Sequence, residues 1–297
     1  MPQPVIKTRR EKPANYSSVF FDGKTIRIPI DPSKPITELM YPEFYDVAIN
    51  SRCMANCRNC YTSATKDGKN FQDVVRKINN IFGPMSPNER AYQVALGGAG
   101  EPTLHEDFID VLEAFWKLGI VPNYTTNGMH LSQETLNATK MFCGGVAVSA
   151  HPHIKNIWKR AIDLLLENNI RTNIHIIVAG KDSIEYLKTI YNDYNDKVEY
   201  IVILPQINIG RASDITTSID YDGLRTFLDC NSKNSNIALG ANLYSFLMKE
   251  KNRWDVSLYP PEILSKYLIL DDPIILHRSS FDLTTPVFRS WMPTNDI

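Results

Sequence analysis

Between residues 45 and 204 six short apolar runs alternate with five segments of helical period, and this restricts the fold more than any other feature. The runs at 45–49, 92–96, 121–125, 145–149, 173–178 and 200–204 read as strands, the third despite Pro122. Phe71, Val74, Val75, Ile78 and Phe82 recur at helical spacing, and Gly83-Pro84 stops them. Phe108, Val111, Leu112 and Phe115 mark a second helix, and a less periodic one is expected at 132–141. Ile154, Ile157, Trp158, Ala161, Ile162 and Leu165 mark a fourth. Asp182, with Glu185 three residues on, has the pattern of a capping box for a fifth. Apolar strands separated by helices give a parallel sheet covered by helices. Right-handed crossovers let such a sheet close or nearly close. The expected fold is therefore α/β, a partial (β/α)6 TIM-like barrel with an N-terminal hairpin and a C-terminal extension. The expected units are an accessory segment at 1–42, a core barrel at 43–213 and the extension at 214–297.

The flanks are less regular. Ser18-Val19-Phe20-Phe21 and Thr25-Ile26-Arg27-Ile28 flank Asp22-Gly23-Lys24, which predicts the hairpin. Lys7-Thr8-Arg9-Arg10-Glu11-Lys12 reads as a solvated charged run, or as a small electrostatic handle for a substrate. Past Ile207 the pattern loosens. Residues 231–236 read as a polar loop, 239–251 as a helix, and 280–283 with 287–290 as a late strand pair.

Directly after the first strand comes Cys53-Met54-Ala55-Asn56-Cys57-Arg58-Asn59-Cys60, which holds three of the five cysteines. Close thiolates select zinc, Cu(I) or iron–sulfur clusters. A structural zinc site wants a fourth ligand, and no cysteine follows soon after. Core cysteines or a zinc knuckle remain the plain alternatives at this point. The other polar, glycine-rich stretches also fall at strand C-terminal ends, where ligands sit in barrels of this kind.

Composition sets outer limits. The formal net charge is -1, so no broad nucleic-acid binding is expected. Clustered cysteines do not form a disulfide framework. No secretory signal or apolar run of bilayer-spanning length is read from the sequence, so a cytoplasmic protein is expected.

Over residues 43–213 these features together resemble the radical S-adenosylmethionine (SAM) superfamily. The cysteine loop follows the first strand as in that family. Gly98-Ala99-Gly100-Glu101-Pro102, after the second strand, resembles its Gly-Glu-Pro motif, where backbone and acidic groups receive the methionyl ammonium. Glycine permits close backbone approach and a carboxylate suits an ammonium. The resemblance implies a 4Fe–4S cluster on Cys53, Cys57 and Cys60, with SAM on the open iron. It implies SAM contacts from Gly98, Gly100, Glu101, Thr126, Asn127, Ser149, Asn173 (or His175) and Arg211. One departure is Asn59, where the family commonly has an aromatic residue; Tyr61, just after the third cysteine, is the candidate substitute. His151 and His153, flanking Pro152 at a strand end, are the candidate catalytic pair, since histidine titrates near neutrality. The implied chemistry is reductive cleavage of SAM to a 5′-deoxyadenosyl radical that takes hydrogen from a substrate. A low-potential electron donor such as a flavodoxin or ferredoxin is implied with it. The substrate is left as a peptide or protein side chain, or a nucleotide or modified base. The competing expectation is a non-catalytic iron–sulfur or SAM-binding module. Cys143 and Cys230 lie in no cluster motif, which argues against an auxiliary cluster.

Overall fold

The structure, a computed structural model, describes residues 6–21, 23–34, 39–97, 99–231, 236–240, 243, 278–282 and 288–290. Three strands open the chain: β1 (Ile6–Glu11), β2 (Tyr16–Phe21) and β3 (Lys24–Pro29), an antiparallel sheet of its own. β2 and β3 are the expected hairpin, with Phe21 opposite Lys24. Then β4 (Phe44–Ala48), β5 (Gln93–Leu96), β6 (Val121–Thr126), β7 (Val146–Ser149), β8 (Thr172–Val178) and β9 (Tyr200–Pro205) pair in parallel, each beside the next. These are the six expected strands. Between and after them run α1 (Val74–Phe82), α2 (Phe108–Lys117), α3 (Gln133–Phe142), α4 (Lys155–Glu167), α5 (Lys181–Tyr194) and α6 (Tyr221–Asn231).

Residues beyond 213 extend this sheet at both edges. β10 (Ile237–Leu239) lies parallel to β9. β11 (Arg278–Asp282) lies parallel to β4 and antiparallel to β12 (Phe288–Ser290). The nine-stranded order is β10-β9-β8-β7-β6-β5-β4-β11-β12. The expected late strand pair is present, with Leu283 and Val287 outside the described residues. The helix expected at 239–251 is corrected at its start, where Leu239 ends β10. Leu243 is helical, and 244–251 lie outside the described residues. Two further expectations change. α6 was not foreseen, although Leu224, Phe227 and Leu228 are buried on one face. The capping box is also absent: Gly180 is the N-cap of α5, so Asp182 stands inside the first turn and cannot cap. Ser183 bonds back instead, accepting from the Ala179 amide at 2.8 Å.

Alternation along each strand separates two environments. In β8, Ile174, Ile176 and Val178 are buried among helix residues such as Trp158, Ile162 and Leu187. Each large apolar side chain so buried contributes about 1.5–3 kcal/mol. Asn173, His175 and Ile177 face the other way and are half-buried. The same side of the sheet carries Asp46, Gln93, Asn123, Thr125 and Ser149, so the concave face is polar. Among the described residues no helix is long and apolar enough to cross a membrane.

The N-terminal sheet closes the end of the barrel opposite the cysteine loop. Its contacts are with residues that enter the parallel strands. Phe20 stacks on Tyr92 at 5.3 Å, Arg27 pairs with Glu43 at 2.7 Å, and Lys7 donates to the carbonyls of Tyr92 and Gly119. The reading of 7–12 as a solvated run is therefore corrected at Lys7, Arg9 and Glu11, while Thr8, Arg10 and Lys12 are exposed. β1 alternates, so Arg10 is exposed while Arg9 is 4% exposed. Arg9 donates to the Tyr41 carbonyl at 2.7 Å, lies 3.8 Å from Glu11 and sits over the Tyr92 ring. Val19, Phe21, Ile26 and Ile28, on the sheet's other face, are exposed.

Two measurements check this packing. Arg9→Ala strands Glu11 in the interior and is expected to lower unfolding free energy by about 3 kcal/mol, whereas Arg10→Ala is expected to cost about 0.5 kcal/mol or less; urea titration compares them. Burial, then the charges of Arg9 and Arg90, push the Lys7 pKa down to about 8 from 10.5. Between those values the unfolded chain holds a proton that the folded chain has lost, so stability rises with pH there. Lys7→Met is expected to flatten that rise in melts taken across the same interval.

Candidate functional site

Residues 51–65 follow β4 without helix or strand of their own, crossing the C-terminal ends of the parallel strands. Isolated bridges, Asn50 to Asn70 and Arg52 to Thr65, fold this segment back on itself. Inside it the Cys53 amide donates to Thr65 O at 2.8 Å and the Cys60 amide to Cys57 O at 3.3 Å. Cys57 is buried, and Cys53 and Cys60 are half-buried. Burial pushes the Cys57 thiol up to about 11, helped by the charges of Cys53 and Cys60. Burial also raises Cys53. Cys60 goes the other way: burial would raise it, but hydrogen bonds from the Thr62 hydroxyl and from the amides of Ala64 and Thr62 hold it below the usual thiol value. Thr62 Oγ1 lies 3.3 Å from Cys60 Sγ.

Successive strand ends grip this loop. From β5, the Glu101 amide donates to Arg52 O at 2.8 Å, and Ala99 O accepts from Thr62 Oγ1 at 2.8 Å. Gly100 is required by proximity: a Cβ there would lie 2.4 Å from Asn50 Oδ1 and 2.6 Å from Arg52 O. From β6, Asn127 Nδ2 lies 3.5 Å from Cys53 Sγ. From β7, His153 Nε2 donates to Ala55 O at 2.8 Å. From β9, Arg211 donates through Nε to Cys57 O at 3.1 Å, through Nη1 to Ala64 O at 2.6 Å, and through its amide to Cys60 O. Gly210 there has φ +61°, and a Cβ on it would meet Tyr61 O at 2.3 Å. Asn59, the departure from the family pattern, donates to Gln206 Oε1 at 3.1 Å and so joins the loop to the same strand end.

The structure thus brings Cys53, Cys57, Cys60, Gly100, Glu101, Asn127, His153 and Arg211 together around one loop. Thr126 is buried behind them, its hydroxyl donating to Glu101. Ser149 lies opposite His175 on the concave face. Asn173 is one inward-facing position deeper, opposite Ala147, and its Oδ1 is buried without a hydrogen-bond partner among the described residues. Tyr61 is 41% exposed, and packing followed by the Asp46 carboxylate raises its hydroxyl to about 12. Gly98 lies outside the described residues. His151 packs 5.7 Å from His153, and burial, then that neighbour, lowers its pKa to about 4. It is therefore neutral at pH 7 and a weaker proton acceptor than a free imidazole. Sequence reasoning missed Asn50, Thr62 and Gln206. Asn50 and Thr62 stand within three residues of the cysteine run, which was the available signal.

The donor set can be tested against the implied group. Among the described residues, no three His, Cys, Asp or Glu side chains are arranged to hold a metal ion. A zinc knuckle needs four donors converging on one ion. A 4Fe–4S cluster takes soft thiolates, and Cys53, Cys57 and Cys60 supply three of them on a loop pinned by the strand ends.

Arg211 supplies a direct check on the grip. Arg211→Ala removes two charge-assisted bonds, each contributing about 1.5–3 kcal/mol. In the metal-free protein it is expected to speed alkylation of buried Cys57 about tenfold or more, read by mass spectrometry.

No protein-family model matches the chain. Over 88 residues it is 30% identical to the tungsten-containing aldehyde ferredoxin oxidoreductase cofactor-modifying protein of Pyrococcus furiosus, covering 30% of this chain and 24% of that one. The match thus spans about a quarter of that relative's length. Among solved structures it is similar to SuiB of Streptococcus suis bound to the precursor peptide SuiA, with TM-score 0.67 and 13% identity over 95% of this chain and 82% of that one. SuiB bound to S-adenosylmethionine gives TM-score 0.66 and 12% identity, over 95% and 80% of the two chains. At such identity the likeness is one of fold: this chain shares the fold of SuiB, in keeping with the partial barrel expected from its strands and helices.

Proposed function

We propose that the protein is a radical SAM enzyme whose single 4Fe–4S cluster is held by Cys53, Cys57 and Cys60. The observation that carries this is the loop with three thiols within eight residues, fastened across the C-terminal ends of a parallel half-barrel. The SAM-bound state of the similar SuiB supports the same reading. When bound, the cluster and SAM would supply reductive formation of a 5′-deoxyadenosyl radical able to take hydrogen from a substrate, with electrons from a low-potential ferredoxin or flavodoxin.

The chain's own residues have separable parts in this. Arg211 fixes the carbonyls of Cys57 and Ala64 and places a positive charge beside the thiols, which favours their ionised, ligating form. His153 holds the Ala55 carbonyl between the first two cysteines. The concave face, with Asp46, Asn123, Thr125, Ser149 and His175, offers hydrogen-bonding groups to a polar substrate entering beside the loop. A peptide or protein side chain is the substrate class we favour, because SuiB is solved with a precursor peptide. A nucleotide or modified base is the second candidate.

Anaerobic reconstitution with iron and sulfide, followed by dithionite and SAM, is expected to yield 5′-deoxyadenosine from the wild-type chain and from Cys230→Ala, whose thiol is exposed on α6. Cys57→Ala is expected to lose iron and product together. Product formation by Cys57→Ala at the wild-type rate would refute the assignment.

A further inference from the structure

The resemblance assigns Glu101 to the ammonium of SAM, but its surroundings point elsewhere. The residue is 3% exposed. Its Oε1 accepts from Thr103 Oγ1 at 2.7 Å, from Thr126 Oγ1 at 2.7 Å and from the Thr103 amide at 3.4 Å. Its Oε2 accepts from the Asn127 amide at 2.7 Å. Four neutral donors thus satisfy a carboxylate that water does not reach. The backbone of Glu101 is committed too. Its amide donates to Arg52 O at 2.8 Å, and its carbonyl accepts from Asn50 Nδ2 at 2.7 Å. Arg52 directly precedes Cys53, and Asn127 reaches Cys53 Sγ with its own side chain.

We infer that Glu101 is a positioning residue: it joins the ends of β5 and β6 and holds Cys53 in place from both sides, and does not itself bind the SAM ammonium. This rests on the radical SAM reading for its ligand and on the geometry alone for its role.

Glu101→Gln separates the two roles. Glutamine keeps the shape and can keep three of the four contacts, its oxygen toward the Asn127 amide and its NH2 toward the two threonine hydroxyls, which can accept as well as donate; it gives up only the long bond from the Thr103 amide. If the role is positioning, the reconstituted Glu101→Gln protein binds SAM within about tenfold of wild type, because no charged bond to the ligand is lost. In the metal-free chain its Cys53 alkylates at the wild-type rate. Glu101→Ala, which removes all four acceptor contacts, speeds Cys53 alkylation about tenfold or more. A loss of SAM affinity of more than about tenfold in Glu101→Gln, with Cys53 alkylation unchanged, overturns the inference and restores the direct ammonium contact. Should Glu101→Ala fail to fold, the glutamine variant still decides. Failure of the wild-type protein to bind SAM counts against the radical SAM reading, while the Cys53 rates test the positioning role independently.

Discussion

A loop without secondary structure must satisfy its backbone polar groups from outside, and in this protein the strand ends do so for residues 51–65. Arg52 O goes to the Glu101 amide, Ala55 O to His153, Cys57 O and Ala64 O to Arg211, and Cys60 O to the Arg211 amide. These contacts come from strands far apart in sequence, so the loop's shape depends on the whole half-barrel being closed in register. The parallel sheet can provide them because all its C-terminal ends point the same way, a property antiparallel pairing would not have.

The two ends of the barrel have divided tasks. At the N-terminal end, β1 to β3 bury Phe20 and Arg9 against Tyr92, so that end is packed, with Arg9 Nε and Glu11 Oε1 buried and lacking a hydrogen-bond partner among the described residues. At the C-terminal end, glycines at 100 and 210 let backbone approach backbone closely, and polar side chains occupy the concave face. Stability is concentrated between sheet and helices, where the strands present Val, Leu and Ile, which leaves the concave face free to be polar.

The six core strands were legible because one face of each is buried under a helix and reads as an apolar run bounded by turns. The cysteine loop was legible because thiolate spacing is local. The parts that were not legible depend on distant partners. Arg9 and Glu11 look like solvated charges until β2 and the Tyr92 loop cover one face of β1. β11 beside β4 cannot be foreseen from either segment, since residues more than two hundred positions apart make the pairing. Arg211 and Glu101 lie against the cysteine loop, but their partners could not be read from the sequence: the guanidinium bonds to loop carbonyls, and the carboxylate to Thr103, Thr126 and Asn127. Residue type announces a capacity for hydrogen bonding, and only the fold decides where it is used.

The central claim is that the fold itself shapes the cysteine loop before any metal is present. Amide hydrogen exchange on the anaerobically prepared, metal-free protein tests it most directly. The account predicts slowed exchange at the amides of Cys53, Glu101 and Arg211, each of which has a carbonyl partner within 3.1 Å. Exchange at these amides as fast as in an unstructured peptide, with the β4–β9 amides still protected, would contradict it.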